Sequence, residues 1–278
     1  MNDLSRALTE NAALTDRVLD SELPASRGLQ KRLTEAMRYS LFPGGKRVRP
    51  FLTLEFCRLF GGDETVAARF AAAVVCVNTY SLIHDDLPCM DEDFVRRGRP
   101  SNHAVYGEAE ALLAGDSLLT LAFGIIARTE CCGKTAAEAV DALSSLAGAD
   151  GMAGGQSADL TFSAQEDVSY ADFIEMNGMK TGCLIRAACI LGALSAGFHK
   201  GSEEYETADG FGKAVGLAFQ IEDDLIDEGG DGRSFLSYLS REDAALMIDD
   251  LTAEAKSRLP EGASLLRQFA DGLARRKK

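Results

Sequence analysis

The chain has few of the features that mark secreted, zinc-binding or membrane-spanning proteins. Its 7 cysteines form no CxxC pair and are odd in number, so neither a disulfide framework nor a zinc site is indicated. Its longest uncharged stretch, residues 70–84, is shorter than the roughly 18 apolar residues of a membrane span. The opening MNDLSRALTE lacks the basic and apolar regions of a secretory signal. We therefore expect a soluble, cytoplasmic protein without a membrane span.

Positive charge is also scarce. The chain has 29 lysines and arginines against 43 acidic residues, and its net charge of −14 argues against a nucleic-acid partner. At 278 residues and 46% hydrophobic, it is long and apolar enough to bury a large core. Since no linker or internal boundary is evident, we expect a single domain over residues 1–278.

Apolar residues recur at helical spacing in nearly every segment, and strand-like alternation is scarce. The predicted fold class is therefore all-α. Residues 74–84 and 214–221 are apolar on every side, which predicts that their helices are central. Proline and glycine clusters predict breaks between helices at residues 43–45, 61–62, 98–100, 229–230 and 260–262.

Two acidic clusters follow the apolar stretches. Burying this many carboxylates is costly unless cations neutralise them. Oxygen ligands favour Mg²⁺, whose usual second partner is a substrate phosphate. The sequence therefore predicts a diphosphate held between two carboxylate-rich walls. The carboxylates are Asp85, Asp86, Asp91 and Asp93 in HDDLPCMDED, and Asp223, Asp224 and Asp227 in FQIEDDLIDE.

Spacing indicates which carboxylates share a site. Asp223 and Asp227 are four residues apart, which places them roughly 40° from each other on one helix face. Asp85 and Asp91 would diverge on an ideal helix, but Pro88 must distort the turn between them. That distortion is expected to return Asp91 to the metal-facing side. Either cluster alone is also compatible with a solvated helix end, whereas both together favour a metal site.

Basic residues supply the other half of a diphosphate site, although each basic run alone is equally typical of a solvated loop. A lysine in the apolar GMKTG segment needs a partner. In AGGQSADL, Gln156 and Asp159 are as compatible with a core amide and a helix cap as with a site. The basic candidates are Lys46, Arg47 and Arg49 in FPGGKRVRP, Arg96, Arg97 and Arg99 in DFVRRGRP, and Lys180 beside Thr181.

These motifs, in this order, resemble the trans-isoprenyl diphosphate synthases, particularly the short-chain bacterial farnesyl type. The resemblance rests on GGKRVRP, SLIHDDLPCMDEDFVRRGRPSNH, LAGDSLL, GGQSADL, MKTGCLIRAA and GLAFQIEDDLID, which together extend from about Tyr39 to Asp231. It implies an isoprenoid synthase-like helical bundle with a central active-site cavity, and usually a homodimer. It also implies a reaction in which isopentenyl diphosphate adds to an allylic diphosphate after the latter ionises.

The resemblance also implies a role for each candidate residue. Three Mg²⁺ ions would be held through Asp85, Asp91 and Asp223, with Asp227 in support and Asp86 and Asp224 completing the two motifs. Arg96, Lys180 and Arg233 would bind the allylic diphosphate, and Thr181 and Gln220 would lie near the cation. Lys46, Arg49, Asn78 and Arg97 would bind isopentenyl diphosphate. Tyr80, with Ser81 beside it, would help to set the chain length.

Two departures from the family pattern bear on activity. Asn78 stands where the family commonly has a histidine, and asparagine can donate a hydrogen bond but cannot carry a charge. The loop after Asp227 is shortened and offers only Arg233 where the family usually has two lysines, so closure over the cation is expected to differ.

Product length and activity class have alternatives. The bulk of Tyr80 favours farnesyl diphosphate, with geranyl and geranylgeranyl diphosphate as alternatives, although Tyr80 is also compatible with plain core packing. A terpene cyclase would share the metals but would need no isopentenyl diphosphate site. A weakly active partner subunit of a heteromeric synthase is the non-enzymatic alternative, which the shortened loop keeps open.

Overall fold

The computed structural model describes residues 2–226 and 233–273, and most of these are helical. The short strands β1 (Val95–Arg96) and β2 (Arg99–Pro100) form an antiparallel hairpin, and Gly178–Gly182 forms one π-helical turn. The predicted all-α class is confirmed. The α-helices are α1 Asp3–Glu22, α2 Lys31–Leu41, α3 Val48–Leu59, α4 Glu64–Asp85, α5 Asn102–Tyr106, α6 Glu108–Ala127, α7 Gly133–Ala147, α8 Met152–Ser163, α9 Tyr170–Asn177, α10 Cys183–Ser195, α11 Glu203–Ile226, α12 Arg241–Arg258 and α13 Ser264–Leu273.

Helix boundaries follow the turn and capping chemistry of the sequence. The predicted breaks at 43–45, 61–62 and 260–262 separate consecutive helices, and 98–100 belongs to the β1–β2 hairpin. Residues 229–230 lie outside the described residues. At the start of α4, the Asp63 side chain accepts a hydrogen bond from Thr65 N at 2.7 Å, and this satisfies a donor that has no partner within the helix.

The centre of the molecule is built from α4, α10 and α11, with α3 packed against them. The two predicted central stretches, residues 74–84 and 214–221, contain only buried and half-buried residues. Helix α10 is at least as central, since every residue in it except Arg186 is buried. This central position of α10 was not predicted from the sequence, because the apolar run was interpreted only through Lys180 and Thr181.

Close backbone approach lets α10 pack against α3. A Cβ at Gly192 would lie 2.6 Å from Phe56 Cβ and 2.6 Å from the Thr53 carbonyl oxygen. The Thr53 hydroxyl donates to the Ala188 carbonyl at 2.9 Å across the same contact. A glycine is therefore required where the two helices cross.

Within the described residues, three segments are long and apolar enough to cross a membrane by length and composition alone: Glu64–Asp85, Glu108–Ala127 and Tyr170–Ser195. In the first and third, 72% of the most apolar window is buried inside the protein, and in the second 39%. Packing within the bundle accounts for the apolar character of the first and third segments. The expectation that no segment spans a membrane stays a prediction.

We expect Gly192→Ala to lower the free energy of unfolding by about 1–3 kcal/mol, because overpacking at a backbone contact must push α10 from α3. Gly272→Ala is a matched control, since a Cβ there meets nothing within 4 Å, and it should raise stability by about 0.5–1 kcal/mol. Urea unfolding of both variants measures the difference. A Gly192→Ala variant as stable as the wild type would contradict this packing.

Candidate active site

The chain turns sharply after α4 and brings Asp91 back beside Asp85. The Asp91 backbone N–H donates to the Asp85 carbonyl at 2.9 Å, and Glu92 N–H donates to the Leu87 carbonyl at 3.1 Å. Glu92 adopts a φ of 54°, a conformation that L-residues seldom take. The distortion expected around Pro88 is therefore present, and it places two carboxylate-bearing residues at the end of one central helix.

The Asp85 carboxyl is only partly compensated by the positive charges of the described residues around it. Burial, with further contributions from the charges of Asp91 and Asp86, raises the pKa of Asp85 to about 6, although Lys180 and Arg96 act in the opposite direction. Burial disfavours the charged form, and a neighbouring like charge adds to that cost. A cation at this position would remove both penalties.

Arg96 is engaged differently from the expectation. Its Nε donates to Asp86 Oδ1 at 2.8 Å, and its Nη2 also contacts Asp86 and reaches Asp93 at 3.2 Å. Asp86 is only 3% exposed, and a buried carboxylate needs such a counter-ion. In this structure Arg96 therefore neutralises the first acidic cluster with Asp86 as its partner, and its binding of the allylic diphosphate stays a prediction.

A cavity of about 340 Å³, here called the basic cavity, gathers all four residues predicted to bind isopentenyl diphosphate. Arg97 Nη1 donates to the Gly44 carbonyl at 2.8 Å, which ties the β1–β2 hairpin to the glycine turn before α3. Arg97 has a φ of 53°, and such strained residues cluster at functional sites. The cavity is lined by Lys46, Arg49, Asn78 and Arg97, together with Gly45, Arg47, Val48, Pro50, Val75, Phe219 and Asp223.

The Arg49 guanidinium is poorly compensated. Burial, then the charge of Arg97, lowers the pKa of Arg49 to about 10, although Asp223 raises it. Its buried Nε finds no hydrogen-bond partner among the described residues. A cation desolvated next to another cation favours a bound anion, and a diphosphate is the anion suited to a guanidinium fork.

Arg47, unlike Lys46 and Arg49, is engaged in contacts that hold helices together. Its side chain is 7% exposed and donates to Asp16 at 2.8 Å and to the Leu41 carbonyl at 2.5 Å. These contacts link α1 and α2 to the start of α3. Of the three basic residues in FPGGKRVRP, Lys46 and Arg49 are thus the two available for a ligand.

A second cavity of about 370 Å³, here called the Asp85 cavity, adjoins the first because Arg49 and Asn78 line both. Its polar side brings together Asp85 from the end of α4 and Lys180 and Thr181 from the segment Gly178–Gly182. Its apolar lining can accommodate a hydrocarbon chain. The further lining residues are Tyr80, Ser81, Leu82, His84, Met90, Met152, Ala153, Gln156, Ser157 and Leu160.

Tyr80 both lines the Asp85 cavity and packs against the hydrophobic core. Its ring centroid lies 5.6 Å from that of His84 in an edge-to-face arrangement. The Ser81 hydroxyl donates to the Asn78 carbonyl at 3.1 Å. The two alternatives for Tyr80, core packing and a cavity wall, are therefore compatible.

Lys180 and Thr181 are displayed by the π-helical turn Gly178–Gly182, a wide turn often found at functional sites. Close contacts hold this turn in place. A Cβ at Gly155 would lie 2.2 Å from Lys180 N, and one at Gly216 would lie 2.8 Å from the Gly182 Cα. This packing role of Gly155 and Gly216 was not predicted from the sequence, although the paired glycines of AGGQSADL were a signal for it.

Two sets of hydrogen bonds fix the side chains of the turn. Lys180 Nζ donates to Asp159 Oδ2 at 2.5 Å, so the partner expected for this lysine is Asp159. Thr181 Oγ1 donates to Gln220 Oε1 at 2.8 Å, and Gln220 Nε2 donates to Asp224 Oδ1 at 3.1 Å. Asp224 thus orients Gln220 from one turn further along α11.

Asp223 lines the basic cavity near the described end of α11, whereas Asp227 lies outside the described residues. The expected role of Arg233 as an allylic ligand stays a prediction. Its Nη2 donates to the carbonyls of Gln165 and Glu166 at 3.0 and 3.1 Å. It therefore joins the segment after the second motif to the connection between α8 and α9.

The carboxylates fit Mg²⁺ shared with a ligand better than a metal held by protein alone. Among the described residues, no three His, Cys, Asp or Glu side chains are grouped closely enough to hold a metal ion. Asp85 lines the Asp85 cavity with Asp91 beside it, and Asp223 lines the adjoining basic cavity. Mg²⁺ typically takes one or two carboxylates and completes its shell with water and phosphate oxygens, which suits this arrangement.

Comparison with known proteins gives concordant matches. Residues 30–235 match the family described as polyprenyl synthetase. The farnesyl diphosphate synthase of Escherichia coli (strain K12) is 39% identical over 270 residues, covering 88% of this chain and 90% of that protein. Geranylgeranyl pyrophosphate synthase 4 of Arabidopsis thaliana is 40% identical over 229 residues, covering 81% of this chain. This chain spans only 60% of the length of that plant protein.

A solved structure extends the match to the fold. The apo structure of an FPP/GFPP synthase from Zymomonas mobilis superposes with a TM-score of 0.92 at 35% identity, covering 98% of this chain and 99% of that one. The predicted isoprenoid synthase-like bundle is thus confirmed. Together, the family match over residues 30–235 and the relatives at 39–40% identity show that this chain belongs to the polyprenyl synthetase family.

Proposed function

We propose that the chain is a short-chain trans-prenyltransferase that joins isopentenyl diphosphate to an allylic diphosphate. The observation that carries the proposal is the pair of adjoining cavities that meet at Arg49 and Asn78. One has Lys46, Arg49 and Arg97 in its lining and suits a diphosphate that is retained. The other combines Asp85, Lys180 and an apolar lining, and it suits a diphosphate that leaves a hydrocarbon chain behind.

The reaction begins when the allylic carbon–oxygen bond breaks and its electron pair leaves with pyrophosphate. Lys180 contributes positive charge beside the departing group, and the Thr181 oxygen lies near the allylic cation. Mg²⁺ bound through Asp85, Asp91 and Asp223, with Asp227 in support, would supply further positive charge to the pyrophosphate. The isopentenyl double bond then attacks the cation, and loss of a proton, with pyrophosphate as the acceptor, completes a chain longer by one five-carbon unit.

We favour farnesyl diphosphate as the product because the Tyr80 ring narrows the Asp85 cavity. Geranylgeranyl diphosphate is the second candidate, since the similar Arabidopsis thaliana protein is named for that product, and geranyl diphosphate the third. A terpene cyclase is disfavoured because it binds no isopentenyl diphosphate and would not need the basic cavity. A weakly active subunit of a heteromeric synthase is opposed by the two acidic motifs.

A homodimer and a cytoplasmic location also stay proposals. The exposed apolar side chains of Leu112 and Leu113 on α6, 46% and 52% exposed, support the dimer. The most apolar window of α6 is only 39% buried within one chain, and a second copy of the chain would cover such a face.

The direct test incubates the purified chain with Mg²⁺, isopentenyl diphosphate and, in turn, dimethylallyl, geranyl or farnesyl diphosphate, and identifies the product chain. The proposal expects farnesyl diphosphate from the first two substrates. A cyclic hydrocarbon formed without isopentenyl diphosphate would support a cyclase. No product unless a second protein is added would support the subunit alternative.

Asp85→Ala and Asp223→Ala should each abolish turnover while keeping the helical fold, because each removes a carboxylate that Mg²⁺ needs. Initial rates and circular dichroism measure the two effects. Asp249→Ala, which removes an exposed carboxylate on α12, is the control and should retain full activity. Wild-type rates in Asp85→Ala or Asp223→Ala would refute the mechanism.

Lys46→Ala and Arg97→Ala should mainly raise the KM for isopentenyl diphosphate, by roughly tenfold to a hundredfold, because these cations bind a diphosphate that is not cleaved. Steady-state kinetics with each substrate varied in turn gives both KM values, and Lys213→Ala on the exposed face of α11 is the control. If only the KM for the allylic substrate rises, the two substrates have been assigned to the wrong cavities.

Tyr80→Ala should shift the product by at least one five-carbon unit, because it removes a ring from the cavity wall. Tyr80→Phe keeps the ring and should keep the wild-type product length. If the ring mainly supports the core, its loss costs about 3–5 kcal/mol, so product distribution and unfolding free energy are measured together. A destabilised Tyr80→Ala variant with an unchanged product would assign chain length to another residue.

A further inference from the structure

The second aspartate of the second acidic motif is tied into a chain of hydrogen bonds that ends at the Asp85 cavity. The Phe235 backbone N–H donates to Asp224 Oδ2 at 2.7 Å. Asp224 Oδ1 accepts from Gln220 at 3.1 Å, and Gln220 accepts from Thr181 at 2.8 Å. Thr181 in turn lines the Asp85 cavity. Four residues from three segments therefore form one continuous chain.

Elementary donor and acceptor chemistry sets the direction of every bond in this chain. A carboxylate only accepts hydrogen bonds, so the end of Gln220 that faces Asp224 must be its NH₂ group. The other end of the amide is then its carbonyl oxygen, which only accepts. Thr181 must therefore donate its single hydroxyl hydrogen to Gln220, and the group that it presents to the Asp85 cavity is an oxygen with free lone pairs.

The chain is anchored at the far end by a rigid group. Phe235 is fully buried, and its ring lies 5.0 Å from the ring of Phe173 on α9. Its N–H is a backbone donor and cannot change into an acceptor. The polarity of the chain is thus set by the acceptor-only carboxylate of Asp224, which a fixed backbone donor holds in place, and not by a rotatable hydroxyl.

We infer that Asp224 is a positioning residue that, through Gln220, holds the Thr181 oxygen with its lone pairs towards the allylic cation. This role rests on the prenyl transfer proposed above and deepens it. A fixed dipole aimed at developing charge stabilises a transition state without reorganisation. A Thr181 hydroxyl free to rotate would offer either its oxygen or its hydrogen to the cation.

Asp224→Asn tests the polarity because it replaces one acceptor oxygen with an NH₂ group of the same size. If the asparagine oxygen keeps the Phe235 N–H, its NH₂ faces Gln220, whose amide must turn over. Gln220 then donates to Thr181, and the hydroxyl hydrogen is released towards the cavity. The expected result is a kcat lower by roughly tenfold to a hundredfold with little change in the KM for the allylic diphosphate.

A double-mutant cycle with Thr181→Val separates this role from metal binding. If Asp224 acts through Thr181, Asp224→Asn should lower kcat by less than about threefold once the Thr181 oxygen has been removed. The Mg²⁺ concentration for half-maximal rate should be the same in Asp224→Asn as in the wild type, and Asp249→Asn is the control for loss of an acid. Multiplicative losses, or a shifted Mg²⁺ requirement, would overturn the inference.

A binding measurement tests the chain of hydrogen bonds without turnover. Isothermal titration calorimetry, in a buffer that contains pyrophosphate, measures the affinity of two allylic analogues. One carries a quaternary ammonium in place of the cationic carbon, and the other has the same skeleton with a neutral carbon at that position. Asp224→Asn and Thr181→Val should weaken the ammonium analogue by a similar factor and leave the neutral one unchanged. Equal losses for both analogues, or a wild type that prefers neither, would overturn the inference. If the wild type prefers the ammonium analogue but catalyses no prenyl transfer in the activity assay, the proposed function is refuted and the inference about Asp224 is not.

Discussion

Desolvation of unlike charges in the walls of two adjoining cavities is the constraint on which the site depends. Burial raises the pKa of Asp85 to about 6 and lowers that of Arg49 to about 10. Each shift means that burial disfavours the charged form by more than the neighbouring opposite charges among the described residues favour it. The Asp85 side therefore favours a cation and the Arg49 side an anion. A metal-bound diphosphate beside a second diphosphate meets both demands, whereas a single neutral ligand meets neither.

Close backbone contacts within the bundle hold the charged side chains of the site in position. Glycines on α8 and α11 let those helices close around the π-helical turn that displays Lys180 and Thr181. The sharp turn after α4 returns Asp91 to Asp85, and the β1–β2 hairpin holds Arg97 against the glycine turn. Other charges are satisfied within the protein, as in the pairs of Arg96 with Asp86 and Arg47 with Asp16. The residues left for ligands are thus defined partly by what their neighbours already contact.

Sequence patterns sufficed for the helical class, the described helix breaks and the gathering of Lys46, Arg49, Asn78 and Arg97, because these follow from periodicity, turn chemistry and motif order. They did not show that Arg96 is held by Asp86, because the adjacent Arg96 and Arg97 lie in a loop without a periodicity that would separate the directions of their side chains. They also did not show that Arg233 contacts two carbonyls. The hydrogen bond between Gln220 and Asp224 was equally hidden. It follows from helical spacing only when the Gln220 and Asp224 side chains are known to turn towards each other on one face of α11.

The central claim is that two diphosphate sites of different character adjoin each other, and a calorimetric titration tests it most directly. Isopentenyl diphosphate and an unreactive thiodiphosphate analogue of the allylic substrate are each titrated with Mg²⁺ and with a chelator. The account predicts that isopentenyl diphosphate binds in both conditions, that the allylic analogue binds only with Mg²⁺, and that each binds when the other is already present. Competition between the two ligands for one site, or the same Mg²⁺ dependence for both, would contradict it.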